Sequence, residues 1–376
     1  MTTPSVGSVH ARLLDCVQAN LAVLADHHHA AGAHLNLGAT LRFRWRIEPG
    51  GLPTVEPSLA EHVAAAEDLL GLVVRDRATV TGAELVEEVR GGDFVYVIAD
   101  AYELPWVPYF GQRHMEHSFL LGADFTVIDA YANETPWGTA TPGRWKLSRD
   151  QLAVKKAEVI HFDRAGTGLP RPVVSVEDTC FDGYLSAYES CPDRLRALDR
   201  LTLETWLLAR SRKLHARFRE HDGFPLDAEQ RAHLDQWDAL VEQTYLAFRR
   251  VSRGRGEPAS VVRRLGDVVE ADKKVFGGLV AAGPKPETVH IGASGDEPLR
   301  RAVASVVSAV LGVPDTQLLD GTEFAALPRF SSFRLVEIIE RLESELGVEL
   351  DPADLVPENL RSVDHLCRIA GRRGNQ

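Results

Sequence analysis

Phe330-Ser331-Ser332-Phe333-Arg334-Leu335-Val336-Glu337 runs directly into IIERLESELGVEL, near the end of a 376-residue chain. Phe333, Leu335, Val336, Ile339 and Leu342 recur at three- and four-residue steps, so the spacing predicts an amphipathic helix with one buried stripe. Ser332 falls just inside the start of that helix. Free N–H groups and the helix dipole at this end favour an anion attached to a hydroxyl. From Ser331 to Leu360 eight acids face only Arg334 and Arg341, a local charge of −6 that would steer basic partners towards the helix. Ser331 and Ser332 also suit plain N-cap roles in a small interaction module.

What separates these two possibilities is how far the pattern extends. From Glu297 to Ile369 the chain resembles acyl and peptidyl carrier proteins over essentially that family's whole length. Ser332, Phe333, Val336 and Glu337 match the family's serine motif. Gly347-Val348-Glu349-Leu350 after the helix and Arg361-Ser362-Val363 opening the last one match as well. The departure is Ser331, where the family has Asp. The resemblance implies a four-helix carrier bundle with 4′-phosphopantetheine on Ser332, attached by a phosphopantetheinyl transferase, so that acyl groups are handled as thioesters. Loading then requires a separate acyl-activating ligase, because nothing in the chain resembles an adenylate-forming or nucleotide-binding domain.

Upstream, Gly283-Pro284-Lys285-Pro286 through Gly292-Ala293-Ser294-Gly295 reads as a flexible linker that keeps the carrier at high effective concentration. Between about Val176 and Gly277 the character is helical. Leu234, Trp237, Leu240, Val241, Tyr245, Phe248 and Val251 recur at helical steps, and LRALDRLTLETWLLARSRKLHARF does the same; about four helices are expected here. Nearer the start, Leu13 to about His29 reads as a helix and Phe94–Ala99 as a buried strand. Ser118–Leu121 and Phe125–Ile128 read as antiparallel strands joined by a tight turn at Gly122-Ala123-Asp124. The expected class is α+β, divided as 1–172, a helical subdomain 173–281, a linker 282–296 and a carrier 297–376.

Hydrophobic residues make up 44% and charged residues 26%, as in ordinary globular chains. No apolar run approaches the roughly 20 residues of a membrane span, and the first fifteen residues lack a signal-peptide pattern; the expected location is cytoplasmic. A net charge of −12 argues against general binding of nucleic acid or anionic membrane and suits cationic partners or amine substrates. Cys16, Cys180, Cys191 and Cys367 form no CxxC pair, which favours free thiols. Adjacent histidines in His27-His28-His29 point in different directions on a helix, so with His34 they suit a solvated helix end better than a metal, and no metal site is expected.

Asp15-Cys16 opens the first helix, and a helix N-terminus lowers a thiol pKa while a histidine takes the proton. His117 begins a strand and Asp129 ends the next, so neighbouring strands bring imidazole and carboxylate together. His114 is an alternative base, Asp124 and Asn133 alternative orienters, and Tyr102, Trp106, Tyr109 and Phe110 suit either an acceptor pocket or loop packing. Cys16 through Leu21, Leu37 through Phe43, and Asp100 through Trp106 with Tyr109, His114 and His117 resemble the N-terminal domain of the butirosin-biosynthesis acyltransferase family, over roughly residues 8–135. The resemblance implies a papain-like cysteine-peptidase-type domain that moves an acyl or aminoacyl group from a carrier thioester to a small-molecule amine acceptor. In it Cys16 is the nucleophile, His117 the base and Asp129 the orienter. His10 occupies the place of the oxyanion glutamine, six residues before the cysteine. A thioesterase or peptidase-type hydrolase and a non-catalytic platform that presents a carrier are the rival expectations.

Overall fold

The computed structural model describes residues 4–47, 51–89, 94–152, 154–177, 180–258, 261–277, 297–327, 330–351, 354–356 and 359–371. The expected linker at 282–296 lies outside the described residues. Two compact units emerge: Met1–Arg42, Val55–Glu177 and Arg210–Leu226 form one, while Phe43–Thr54, Asp178–Ala209 and Asp227–Gln376 form the other.

The first unit mixes helix and sheet. Its helices are α1 (Cys16–His28), α2 (Leu59–Leu70) and α3 (Gly82–Glu88). Its main sheet comprises β1 (Leu72–Val80), β2 (Val95–Asp100), β3 (Glu116–Leu121), β4 (Thr126–Asp129), β5 (Gly143–Lys146) and β6 (Ala157–Arg164). These strands run in the order β5-β4-β3-β2-β6-β1, each antiparallel to its neighbours. Leu21 and Leu24 of α1 cluster with Tyr96, Ile98, Leu120, Ile128 and Ile160 from alternate positions of four strands. The period of two leaves His117 and Phe119 on the other side of β3.

The expected hairpin is present: Leu120 pairs with Ile128 and Leu121 with Val127. Its turn closes by Gly122 N–H donating to the Thr126 carbonyl at 2.9 Å, and Phe125 takes the left-handed backbone there, with φ 62°. The first helix starts where Asp15-Cys16 predicts it, and not at Leu13, where the leucine spacing alone would begin it. Residues 11–13 form a separate single turn, and α1 begins at Cys16 because Asp15 caps it, accepting from the N–H groups of Val17 (2.9 Å) and Gln18 (2.7 Å). Gln18 returns the contact, accepting from Asp15 N–H at 3.3 Å, so a capping box ends the preceding turn and fixes the helix start.

The second unit is helical. Beyond α4 (Asp182–Ser190) run α5 (Arg194–His221), α6 (Ala228–Ser252) and α7 (Val261–Phe276), the expected four helices; Arg210–His221 of α5 is assigned to the first unit. Glu204, fully buried, is satisfied by Thr54 Oγ1 at 2.7 Å, Tyr184 OH at 2.9 Å and Arg200 Nε at 2.8 Å. In the same unit α8 (Glu297–Leu311), α9 (Asp315–Leu319), α10 (Ser332–Leu346) and α11 (Val363–Gly371) enclose a core of Val303, Val307, Leu318, Phe324, Leu335, Ile339 and Leu366. Among the described residues no helix is long and apolar enough to cross a membrane, and no group of acidic, His or Cys side chains forms a metal cluster. The four cysteines are free thiols.

Candidate functional site

In the first unit, Cys16 is the first residue of α1 and is partly accessible. Its Sγ donates to the carbonyl of Glu116 at 3.5 Å, the residue before His117 in β3. His117 and Asp129 meet as the strand pairing requires. Register places Asp129 opposite Phe119, two residues along the same face from His117. The His117 Nε2 and Asp129 Oδ2 atoms are 2.7 Å apart, both side chains buried. With the carboxylate accepting, Nε2 carries the proton and Nδ1 is left as the basic nitrogen. That Nδ1 is buried and, among the described residues, has no hydrogen-bond partner. A buried, unsatisfied imidazole nitrogen costs stability unless something else comes to it.

Asp129 is held by more than His117. Its Oδ2 also accepts from Trp106 Nε1 at 3.1 Å, and its Oδ1 accepts from the Tyr131 N–H at 2.9 Å and from Asn20 Nδ2 at 3.3 Å. Asn20 sits one turn beyond Cys16 and is fully buried. It donates to the Ser118 carbonyl at 2.8 Å and accepts from Ala130 N–H at 2.9 Å, while Ser118 Oγ donates to the Cys16 carbonyl at 2.6 Å. The cysteine helix, the histidine strand and the aspartate strand are thereby tied through one amide and one hydroxyl.

Arg210 adds a second tie. Its guanidinium donates to the carbonyls of Ala11 (3.1 Å), Leu14 (2.5 Å) and Ala132 (2.8 Å), joining the turn before Cys16 to the chain after Asp129. Burial pulls its pKa down to about 10, still protonated at neutral pH. Asn20 carried a readable signal, a polar residue on the apolar stripe at four residues from the cysteine. Arg210 carried none, because its carbonyl partners lie 78 to 199 positions away in sequence.

The other candidates lie elsewhere in the unit. His10 Nδ1 stands 3.0 Å from His34 Nε2, and His10 Nε2 accepts from Arg217 Nε at 3.2 Å. Both ring nitrogens are engaged there, which leaves His10 no donor for an oxyanion at Cys16. His34 in turn pairs with Asp26 at 2.9 Å. His114 forms its own exposed pair with Asp100 at 2.6 Å and stacks on Tyr102 with centroids 4.2 Å apart. Asp124 binds Lys146, which pulls its carboxyl down to about 2, and Asn133 meets Arg210 at 3.4 Å. Of the aromatic group, Trp106 reaches Asp129, Tyr109 OH meets Tyr131 OH at 3.3 Å, and Tyr102 and Phe110 are exposed.

Electrostatics at the thiol reverse the expectation of a depressed pKa. Burial first, then the carboxylates of Asp15, Glu56 and Asp129, push Cys16 well above the usual thiol range, outweighing the helix end. Alkylation of Cys16 by iodoacetamide, followed by peptide mass, is expected to rise only above the ordinary thiol value of about 8.5. Glu56→Gln should move that curve to lower pH by removing one anion. A wild-type midpoint at or below the ordinary value would mean that a thiolate is already present.

In the second unit, Ser332 is the first residue of α10, and Ser331 precedes it as N-cap, its Oγ accepting from Arg334 N–H at 3.4 Å. The Ser331 hydroxyl is spent on the cap, and the start of a 15-residue helix offers the N–H groups and dipole that suit a phosphodiester. The local structure therefore fits the group that the sequence implies. The family described as phosphopantetheine attachment site matches residues 301–369. No curated protein matches the chain. The C-terminal domain is thus a carrier domain, of the kind that phosphopantetheinyl transferases modify and ligases load. It carries 4′-phosphopantetheine covalently on a serine and places the chain in acyl- or peptidyl-carrier-based biosynthesis.

Proposed function

We propose that the chain is a cysteine-dependent acyltransferase of natural-product biosynthesis, with a papain-like catalytic domain related to the butirosin acyltransferases. It takes an acyl or aminoacyl group from a carrier thioester and transfers it to a small-molecule amine. The observation that carries this reading is the buried His117–Asp129 pair with its unsatisfied Nδ1, together with a Cys16 sulfur that donates to the carbonyl of Glu116, the residue just before His117. When attached to Ser332, the phosphopantetheine arm supplies a thiol that holds acyl groups as thioesters.

Cys16 rests as a thiol, so its proton leaves as Sγ attacks the thioester carbonyl, with His117 Nδ1 as acceptor. Asp129 holds the Nε2 proton in place and stabilises the imidazolium that forms. The Cys16 N–H remains outside the Asp15 cap, which takes the N–H groups of Val17 and Gln18, and so is positioned to meet the developing oxyanion. His117 then returns the proton to the departing thiol, leaving an acyl group on Cys16. In the second half an amine attacks that acyl group, His117 takes the amine proton, and Cys16 leaves as a thiol while the amide forms.

The raised thiol is the observation that favours a second reading, a platform that presents the carrier without catalysis. One experiment separates them. The apo protein is treated with a broad phosphopantetheinyl transferase and an acyl coenzyme A, then offered amines, and the protein and products are read by mass. Acquisition of the acylated arm at Ser332 followed by amine-dependent release as amide supports transfer. Release as free acid points to hydrolysis, and a stable acylated arm with no turnover points to the platform.

A further inference from the structure

The acidic face of α10 is already occupied by basic residues of the second unit itself. Arg249 donates through Nε and Nη2 to both oxygens of Glu340, at 3.2 and 3.3 Å, and Arg253 Nη2 reaches the same carboxylate at 2.7 Å. One turn further, Arg250 meets Glu343 at 3.1 Å, Arg255 pairs with the same carboxylate, and Arg250 also faces Glu349 at 3.5 Å. Four arginines at the end of α6 and just beyond it thus neutralise much of the face that the sequence offered to outside partners. Glu337 is taken within its own helix by Arg334 and Arg341.

Apolar contact between the same two helices is made chiefly by Leu246 and Tyr245 of α6. Leu246 of α6 joins the carrier core, and the Tyr245 ring meets Phe333 edge-on with centroids 4.5 Å apart. Beside them lies a water-sized crevice lined by Ala239, Gln243, Leu246, Leu335, Val336 and Ile339. The Arg249 and Arg253 pairs are partly exposed and so contribute little and are screened by salt. The Arg250–Glu343 pair is buried, but separation returns both charges to water, offsetting the lost attraction. The ion pairs therefore add little net attraction, and salt weakens the exposed ones.

We propose that α6 is a resting dock for the carrier's own α10, a latch closed by Arg–Glu pairs that must open before another protein acts at residue 332. Position matters here: residue 332 directly precedes Phe333, whose ring lies against Tyr245, so any protein working at 332 arrives within one residue of α6. This inference is independent of what Cys16 does.

The test compares the full-length apo protein with Arg249→Glu/Arg253→Glu. Rates of labelling by a broad phosphopantetheinyl transferase, with fluorescent coenzyme A as donor, are measured across a salt series. Hydrogen exchange of peptides covering 239–253 and 335–346 is read alongside. At low salt the variant is expected to label about tenfold faster, the gain when a competent fraction of about a tenth becomes nearly complete. Exchange of both helices should rise in parallel, and the wild type should approach the variant's rate as salt increases. Faster exchange with an unchanged labelling rate would overturn the proposal, because the contact would then gate nothing. Unchanged exchange would overturn it too, because the ion pairs would not be what holds the helices. Should the double reversal fail to fold, Arg253→Gln carries the same two readouts.

Discussion

Cys16→Ala is expected to leave the carrier serine fully modifiable and to lower amide formation by at least ~10⁴-fold, the scale on which removal of a covalent nucleophile acts. The site is organised so that nothing else can substitute. Asp15 is spent on the helix cap, and the carbonyls of Cys16 and Val17 are taken by Ser118 Oγ and Tyr96 OH. The substitution removes one sulfur from a partly accessible position, so stability should change by less than about 1 kcal/mol. The decisive comparison is intact mass beside product formation. An acylated arm that accumulates without amide supports a thiol step; amide formed at the wild-type rate would remove Cys16 from the chemistry.

The second large effect is expected at Asp129. Four donors converge on its carboxylate: His117 Nε2 and Trp106 Nε1 on one oxygen, Asn20 Nδ2 and the Tyr131 N–H on the other. Only an ionised carboxylate accepts from all four. Asp129→Asn keeps the shape but turns one oxygen into an amide group, which must face two donors whichever way the side chain flips. The expected cost is about 2–3 kcal/mol of stability, from buried donors left unmatched. Turnover should fall ~10³–10⁴-fold because His117 loses its fixed tautomer. Thermal melts and kcat/KM measured on the folded fraction separate the two losses. A variant within tenfold of wild-type turnover would show that the pair is structural.

His117 and Asp129 were legible because a hairpin fixes which residues face each other, and the hairpin was written in two short apolar runs with a turn between them. Cys16 was legible from its aspartate neighbour, although the helix begins three residues later than its leucines suggest because capping outranks apolar periodicity at that end. What sequence did not carry was long-range polar satisfaction. Asn20 and Arg210 hold the site together through contacts spanning 78 to 199 positions; only the apolar setting of Asn20 hinted at its role, and nothing local anticipates the partners of either. The thiol's electrostatics escape the sequence for a related reason. A helix end is visible in sequence, whereas burial beside Glu56 and Asp129 exists only after folding. The arginines of α6 likewise read as an ordinary basic helix end until α10 lies against them.

A resting thiol at position 16 has a consequence for survival under peroxide. Oxidation to sulfenic acid begins from the anion, and a group held protonated gives the oxidant little to attack. The feature that delays nucleophilic attack until a histidine assists it would also shield the sulfur between turnovers, without any partner cysteine to form a protective bridge.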